Sequence, residues 1–325
     1  MDSMPHSDYS PQLATLVKEP PSGDGWLHEI KYDGYRIGCR IRAGRVTLIS
    51  RNGKDWTAAF PEIVAAAAAL PTKDALIDGE VAIVLPDGRT SFQMLQNAAQ
   101  GEASGGTLIY FVFDLLRLDG ESVARKPLVE RKARLKALAG RRKTSRIRYA
   151  DHVIGNGRAF FEQAQRLGLE GIISKRASEP YRPGRHGEWV KTKCVLEQEF
   201  VVGGFTDPEG ARAGIGALLI GHYERGKLTF SGRVGTGFTQ KGALKLRRTL
   251  TSIAQKSCPF DPPPEGALAR SAHWVRPQLV CEVRFTEWTS DGKIRHPAFK
   301  GLRADKKAKE VRRERPIRNA AKAFR

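Results

Sequence analysis

Short runs in which apolar and polar residues alternate dominate the first 195 positions of the chain. Two strands that turn at Ala43-Gly44 are predicted by YRIGCRIRAGRVTLISR, and a second hairpin that turns at Pro86-Asp87-Gly88 is predicted by ALIDGEVAIVLPDGRTSF. Two further strands before Cys194 are predicted by GIISKR and EWVKTK. Such alternation is typical of antiparallel sheets that bury one face.

Three segments between these strands have the spacing of helices. PEIVAAAAAL begins with a proline, which suits a first helical turn. PLVERKARLKALAG and GRAFFEQAQRLG each end at a glycine, the residue that most often follows a last turn. Strands and helices together predict an α+β domain over residues 1–195, built around antiparallel sheets.

The pattern changes after residue 195 to strands that are punctuated by glycines. They are EFVVGGF, GALLIGHYERGKLTFSGRVGTGF and QLVCEVRFTEW, and TQKGALKLRRTLTSIAQ predicts one helix among them. Five or so short strands and one helix are typical of a small closed β-barrel of the oligonucleotide-binding (OB) type. We therefore place a domain boundary near Leu196 and predict an OB-fold domain with a basic C-terminal tail over residues 196–325.

The charge balance indicates a polyanionic partner. The 325 residues are 40% hydrophobic and 28% charged, and Lys+Arg 55 against Asp+Glu 35 gives a net charge of +20. Nucleic acid is favoured over a membrane, because no stretch approaches the ~18 apolar residues of a spanning helix. A basic protein without such a partner remains the alternative. Widely separated cysteines and an amino terminus without a signal-peptide pattern predict a cytoplasmic, nucleoid-associated protein with reduced thiols.

Lys31 lies in WLHEIKYDGYR, two positions before Asp33-Gly34. Asp-Gly is a strong turn signal, so Lys31 could be an ordinary lysine at the end of a strand. It could also be a nucleophile. In that case its ordinary pKa of about 10.4 must be lowered by burial, a neighbouring cation or a metal.

Other charged residues in apolar strands favour a chemical site. Lys191 and Lys193 fall on one face of a strand by the period of two, and Lys175 ends another strand. Glu80 and Glu170 lie in apolar runs, where a carboxylate is costly unless it binds a metal, a ribose hydroxyl or a cation. Each lysine alone would be read as a surface residue.

The order of these segments resembles the nucleotidyltransferase module of ATP-dependent DNA ligases. The matching segments, in order, are KYDGYR, SRNGKDW, DGE, FVFDLL, EGIISKR and WVKTK. The later run RPQLVCEVRFTEWTSDGKIRHPAFKGLRADK resembles the second module, closest to the ligase part of bacterial end-joining ligases. The resemblance covers roughly residues 10–307, whereas Lys-x-Asp-Gly alone is shared with RNA ligases and capping enzymes.

The resemblance implies a reaction in three steps. Lys31 attacks the α-phosphate of ATP and carries AMP as a phosphoramidate while pyrophosphate leaves. The adenylate passes to the 5′-phosphate of a nick, and the 3′-hydroxyl then displaces AMP. Glu29 would lie near the adenine amino group and Phe113 would stack on the base, unless Phe113 is an ordinary core residue.

The resemblance also implies which residues hold phosphate, ribose and metal. Glu80 and Arg36 would hold the ribose or bridge to the nicked strand, and Arg51 would contact its phosphate. Asp33 and Glu170 would bind Mg²⁺ or Mn²⁺, which prefer oxygen ligands. The remaining phosphate ligands, which would stabilise the charge at the α-phosphate, are Lys175, Lys191 and Lys193.

Arg303, Asp305 and Lys306 in LRADK match a motif that orients pyrophosphate when the second domain closes. A cationic surface run is the alternative. The region from Gly301 to Arg325 contains ten Lys or Arg residues and three acidic ones, so it is either a phosphate-binding surface or a frayed helix.

The partner molecules follow from the same resemblance. The chain has no four-cysteine zinc module of the kind that NAD-dependent ligases carry, so ATP is the expected cofactor. We expect a monomer that acts on nicked or broken duplex DNA, with a Ku-like end-binding protein as a partner. A GTP-using capping transferase or an RNA ligase is the alternative enzyme, and a DNA-binding protein on a degenerate transferase scaffold is the non-enzymatic alternative.

Overall fold

The computed structural model describes residues 9–99, 105–140, 146–208 and 213–317. The chain divides into two compact units. The first ends at Cys194 and takes in the chain again from Arg315, and the second is Val195–Glu314. This division differs from the sequence-based one in the tail, because the amide of Ile317 donates to the carbonyl of Leu16 (3.0 Å) in the first unit.

The first unit is an α+β structure, as the sequence predicts. Its strands are β1 (Thr15–Leu16), β2 (Gly23–Ile30), β3 (Tyr35–Arg42), β4 (Arg45–Ser50), β5 (Asp74–Val84), β6 (Thr107–Leu118), β7 (Glu121–Ser122), β8 (Ile147–Tyr149), β9 (Val153–Gly155), β10 (Gly171–Arg176) and β11 (Trp189–Lys193). Its α-helices are α1 (Pro61–Ala68), α2 (Phe92–Ala99), α3 (Leu128–Ala139) and α4 (Gly157–Arg166).

Two sheets form this unit. Sheet A has the strand order β1-β11-β10-β2-β9, and sheet B has the order β4-β3-β5-β6-β7 with β8 beside β6. The pairs are antiparallel except β1–β11 and β6–β8. Helices α1, α2 and α3 contact sheet B, and α4 contacts sheet A. A second core cluster, which includes Phe113 of β6 and Trp189 of β11, joins the two sheets.

The central strands of sheet B are covered on both faces. Most residues of β5 and β6 are buried, which explains why their sequences are largely apolar. The predicted turn at Ala43-Gly44 is confirmed, and both residues have positive φ (49° and 77°), as a tight two-residue hairpin turn requires. The predicted helices correspond to α1, α3 and α4.

The second predicted hairpin is wrong beyond its turn. A single β-bridge, between Val84 and Thr90, closes the turn at Pro86-Asp87-Gly88, and the chain then enters α2 instead of a second strand. The Oγ of Ser91 accepts a hydrogen bond from the amide of Met94 (3.4 Å), which stabilises the first turn. Phe92 and Leu95 bury one side of α2, a helical spacing that the turn signal obscured.

The second unit is an OB-fold, as predicted. Its elements are β12 (Leu196–Thr206), β13 (Ala217–Glu224), β14 (Lys227–Val234), α5 (Gln240–Thr251), α6 (Ala267–Ser271), β15 (Ala272–Trp274), β16 (Val280–Phe285), β17 (Glu287–Trp288), β18 (Ile294–Arg295) and β19 (Ala298–Leu302). The main sheet has the order β14-β13-β12-β16-β19, with α5 following the third strand in sequence. The amide of Phe299 donates to the carbonyl of Thr236 (2.9 Å), which links the two ends of the sheet.

None of the helices in the described part of the chain combines the length and the apolar character needed to cross a membrane.

Candidate active site

One face of sheet A carries several of the charged residues that the sequence analysis selected. The strand register sets Glu29 of β2 beside Ile173 of β10, and Ile173 beside Lys191 of β11. Alternate residues share a face, so the same face carries five predicted site residues. They are Glu29, Lys31, Lys175, Lys191 and Lys193.

Lys31 follows the end of β2 and faces a carboxylate. Its Nζ lies 2.5 Å from Oε1 of Glu170, and its side chain retains 22% of its exposure. Burial alone would lower the pKa of Lys31, but the carboxylates of Glu170, Glu80 and Asp33 raise it above its ordinary value. Lys31 is therefore an ammonium in this arrangement, and its neighbourhood must change before it can act as a nucleophile.

Glu170 and Asp33 carry oxygen atoms of the kind that divalent cations bind. Oε2 of Glu170 is buried and, among the described residues, has no hydrogen-bond partner. Asp33 is also buried, and its side chain attracts the same ammonium group of Lys31. Both side chains offer carboxylate oxygens, the ligands that Mg²⁺ and Mn²⁺ prefer.

Glu29 is a buried carboxylate that two lysines hold. Lys132 of α3 donates to Oε1 (2.5 Å), and Nζ of Lys175 lies 2.6 Å from Oε2. Burial would raise the pKa of Glu29, but the two lysines lower it, so this carboxylate is ionised at neutral pH. Burial and the neighbouring Lys132 lower the pKa of Lys175 to about 8, although Glu29 opposes this.

The sequence analysis missed Lys132. It lies with Arg131 on the buried face of α3, between Leu128 and Leu135. The sequence contained a signal for this. Arg131 and Lys132 are the third and fourth residues after Leu128, and residues at these spacings lie on the same face of a helix, here the buried one. The side chain of Arg131 forms a bidentate pair with Asp114 (2.7 and 2.9 Å), and both are fully buried.

Arg36 is fixed by a buried network that the sequence analysis also missed. Its Nε and Nη2 donate to the two carboxylate oxygens of Asp78 (2.5 and 2.6 Å). The hydroxyls of Tyr9 and Tyr181 donate to the same two oxygens, each at 2.7 Å. Arg36 is the residue directly opposite Glu80 across β3 and β5. Its guanidinium therefore has a set direction, toward the carboxylate of Asp78.

Phe113 is a buried core residue in this structure. Its ring makes an edge contact with Trp189 (6.0 Å between centroids), and its exposure is 7%. The guanidinium of Arg36 lies 4.4 Å from the ring centroid, and Nζ of Lys175 lies 4.2 Å from it. These contacts agree with the core alternative, and base stacking on Phe113 stays a prediction.

Arg51, the predicted contact for the phosphate of the nicked strand, lies in the turn after β4 and is half-buried.

The LRADK residues are held by ion pairs within the second unit. Arg303 forms a bidentate pair with Asp305 (2.8 Å each) and donates to Glu282 (2.7 Å). Lys306 pairs with Glu199 (2.7 Å). Arg303 and Asp305 are buried, so the reading of this run as a cationic surface does not fit these two residues.

Comparison with known proteins shows the family of the chain. The family described as "ATP dependent DNA ligase domain" matches residues 11–193, and "ATP dependent DNA ligase C terminal region" matches residues 211–306. The chain is 42% identical over 322 residues to the multifunctional non-homologous end joining protein LigD of Pseudomonas aeruginosa, covering 97% of this chain and 38% of that protein. It is 37% identical over 291 residues to LigD of Mycobacterium tuberculosis, covering 89% and 37%.

The chain thus spans less than two fifths of the length of these relatives. It covers 98% of the SPbeta prophage-derived DNA ligase-like protein LigB of Bacillus subtilis, at 30% identity over 305 residues and 90% of this chain. A solved structure, mycobacterial DNA ligase D complexed with ATP and MES, has 34% identity and a TM-score of 0.70, covering 94% of this chain and 98% of the other. The chain belongs to the ATP-dependent DNA ligase family.

Proposed function

We propose that this chain joins 5′-phosphate and 3′-hydroxyl ends of nicked or broken duplex DNA through an AMP group carried on Lys31. The observation that supports this best is the pair of Lys31 and Glu170 on the sheet face that also carries Lys191 and Lys193. A partly exposed lysine amine, a carboxylate and two further cations are the groups that transfer of a nucleotidyl group requires.

The first step forms a bond between Nζ of Lys31 and the α-phosphorus of ATP, and breaks the bond to the leaving pyrophosphate. Lys31 must give up a proton before the attack. Lys191 and Lys193 hold the α-phosphate and stabilise the negative charge that develops on its oxygens. Lys175 supplements this positive field from the neighbouring strand.

The later steps use the same phosphorus-binding groups. A 5′-phosphate oxygen of the nick attacks the AMP phosphorus and breaks its bond to Lys31. The 3′-hydroxyl then attacks the 5′-phosphate, and AMP leaves. We assign contacts with the ribose and the nicked strand to Glu80, Arg36 and Arg51.

Asp33 and Glu170 are the residues that would hold Mg²⁺ or Mn²⁺. The buried Oε2 of Glu170, which has no hydrogen-bond partner in the part of the chain that the structure describes, supports this assignment. When bound, such a cation would supply positive charge that offsets the carboxylates around Lys31. For recognition of the base, Glu29 offers an acceptor to the adenine amino group, and Phe113 is the proposed stacking residue.

We also propose that the second unit closes during self-adenylation, so that Arg303, Asp305 and Lys306 orient the pyrophosphate. The similarity to LigD proteins, whose names describe non-homologous end joining, supports a role in end joining. We further propose a Ku-like partner and a place in the nucleoid of the cytoplasm. We propose that the chain acts as a monomer. The adenylation chemistry is assigned to the first unit, and DNA contact to both units.

Covalent labelling tests the first step directly. The purified chain is incubated with Mg²⁺ and either α-³²P-ATP or α-³²P-GTP, and the label that stays on the protein in a denaturing gel is measured. We expect label from ATP only, and none on Lys31→Arg, which keeps the cation opposite Glu170. Label from GTP would favour a capping transferase, and absence of label from both would overturn the proposal.

Sealing of a nicked duplex tests the complete reaction. Substrates with DNA on both sides of the nick are compared with one that carries a single ribonucleotide at the 3′ end and with a nicked RNA duplex. We expect both DNA-based nicks to be sealed with ATP. Sealing of the RNA duplex alone would instead assign the chain as an RNA ligase.

A further inference from the structure

The cluster of Glu29, Lys132 and Lys175 contains more positive charge than its carboxylate balances. All three side chains are at most 3% exposed. Burying two ammonium groups around one carboxylate is costly, and Lys175 alone would neutralise Glu29. The second cation therefore suggests a purpose other than stability.

Lys132 fixes the orientation of the Glu29 carboxylate. Its Nζ donates to Oε1 of Glu29 (2.5 Å) and to the carbonyl of Ala150 (3.0 Å), and lies 4.6 Å from the ring centroid of Tyr149. The helix that carries it is held by the neighbouring buried Arg131. Rotation about the last side-chain bond of a glutamate is otherwise loosely restricted. Lys132 thus determines where the remaining lone pairs of Glu29 point.

Lys175 cannot take over this role. Its Nζ lies 4.2 Å from the ring centroid of Phe113 and 4.1 Å from that of Trp189, so ring faces surround it. It approaches Oε2 of Glu29 at 2.6 Å, so the contact with Oε1 is left to Lys132. Contact with one oxygen alone leaves the plane of the carboxylate free to turn, and both contacts together fix it.

We propose that Lys132 is a positioning residue for nucleotide choice: it holds Glu29 so that its carboxylate accepts the 6-amino group of adenine. This inference rests on the proposed function. A carboxylate has about four lone-pair sites, so two lysines leave capacity for the base. Lys132 itself touches neither the base nor the reacting phosphorus.

The test compares two nucleotides that differ only in the amino group. Self-adenylation is measured as kcat and KM with ATP and with purine riboside triphosphate, which lacks the 6-amino group. The variants are Lys132→Met, which matches the length without the charge, and Lys132→Gln, which keeps a weaker donor. Lys136→Met is the matched control, because Lys136 lies one turn along α3 with its side chain 44% exposed.

We expect the unsubstituted chain to prefer ATP by about tenfold or more, the value of one hydrogen bond to a charged group. Lys132→Met should reduce this preference to about threefold or less by raising the KM for ATP, with the analogue nearly unaffected. Lys132→Gln should fall between the two, and Lys136→Met should keep the full preference. Lys136→Met should also leave the sealing of a nick that already carries the 5′-adenylate unchanged.

Equal losses with both nucleotides, or a preference that Lys132→Met leaves intact, would overturn the inference. Loss of the thermal unfolding transition in both Lys132 variants would also overturn it, because Lys132 would then serve stability. These outcomes can be distinguished from failure of the proposed function itself. In that case the unsubstituted chain would not adenylate itself with either nucleotide.

Discussion

Arg303 and Lys306 lie three positions apart, but the carboxylates that they pair with differ in burial, and this difference predicts how their substitution affects stability. Arg303→Ala removes the guanidinium that contacts Asp305 and Glu282, whose residues are 2% and 7% exposed. Removing one partner of a buried ion pair costs about 3–5 kcal/mol. Lys306→Ala removes one pair with Glu199, and these side chains are 15% and 24% exposed, so we expect about 1 kcal/mol.

Hydrogen exchange measured by mass spectrometry resolves this effect in the second unit. Two units need not unfold together, so a single melting temperature would not isolate it. Peptides from β16 and β19 report it, because Glu282 lies in β16 and Arg303 follows β19. A loss of about 3 kcal/mol should speed exchange there by about 100-fold or more where exchange requires opening of the unit.

A charge-free combination is the control for this experiment. Arg303→Met with Asp305→Asn and Glu282→Gln removes both signs of charge, and replacing a whole buried network is often nearly neutral. We expect most of the lost protection to return. Exchange in Arg303→Ala that equals the rate in Lys306→Ala would refute the reasoning, because the buried network would then contribute nothing measurable.

The same variants separate the two proposed uses of LRADK. Sealing of pre-adenylated DNA releases no pyrophosphate, so it should not need a residue that orients pyrophosphate. Lys306→Ala should therefore depress self-adenylation and spare that sealing step in Mg²⁺. A triple alanine substitution is a poorer test, since it also removes the buried pairs of Arg303. Equal loss of both activities in Lys306→Ala would assign Lys306 to DNA binding.

Three further predictions concern the nucleophile, the DNA interface and a buried histidine. Lys31→Arg should abolish covalent AMP while keeping the thermal transition, and residual label would move the nucleophile to another residue. Affinity for nicked DNA should fall about 10³-fold or more between about 50 mM and about 200 mM salt if six or more phosphates are contacted, and a flat response in a filter-binding assay would contradict this. His28 is buried beside Ser174 (2.8 Å), and burial lowers its pKa, so its contribution to stability should be lost as the pH falls below about 6.5. The difference in melting temperature between His28→Gln and the unsubstituted chain should shrink from pH 7.5 to pH 5.5, and a constant difference would count against this account.

The common face of the site lysines could be predicted from the sequence because it follows from local geometry. Lys191 and Lys193 are two positions apart on one strand, and the period of two sets their side chains on one face whatever the rest of the fold does. Strands β10 and β11 could likewise be predicted from their runs of apolar residues. Such predictions depend only on the strand itself and not on contacts with distant segments.

The partners of those residues could not be predicted, because they depend on contacts between distant segments. Lys132 meets Glu29 across 103 positions of sequence, and Asp78 meets Tyr181 across the same separation. Phe113 shows a second limit. Gly79 pairs with Val112 and Asp78 with Asp114, so Phe113 is an extra residue in a β-bulge. A bulge resets the alternation, and no period along β6 reveals which face the ring takes.

The two lysines at the centre of the site show why a lowered pKa does not by itself identify a nucleophile. The pKa of Lys175 falls to about 8, whereas that of Lys31 rises above its ordinary value. By protonation alone Lys175 would be the better nucleophile at neutral pH. Yet the Lys175 side chain is 1% exposed and lies against two aromatic rings, while that of Lys31 is 22% exposed. Attack requires the amine to reach phosphorus in line with the leaving group, and only Lys31 has that access. The fold alone determines whether a lysine amine can reach the phosphorus. The charge around Lys31, by contrast, changes when a ligand binds the neighbouring carboxylates. The acidic surroundings of Lys31 are therefore compatible with its proposed role.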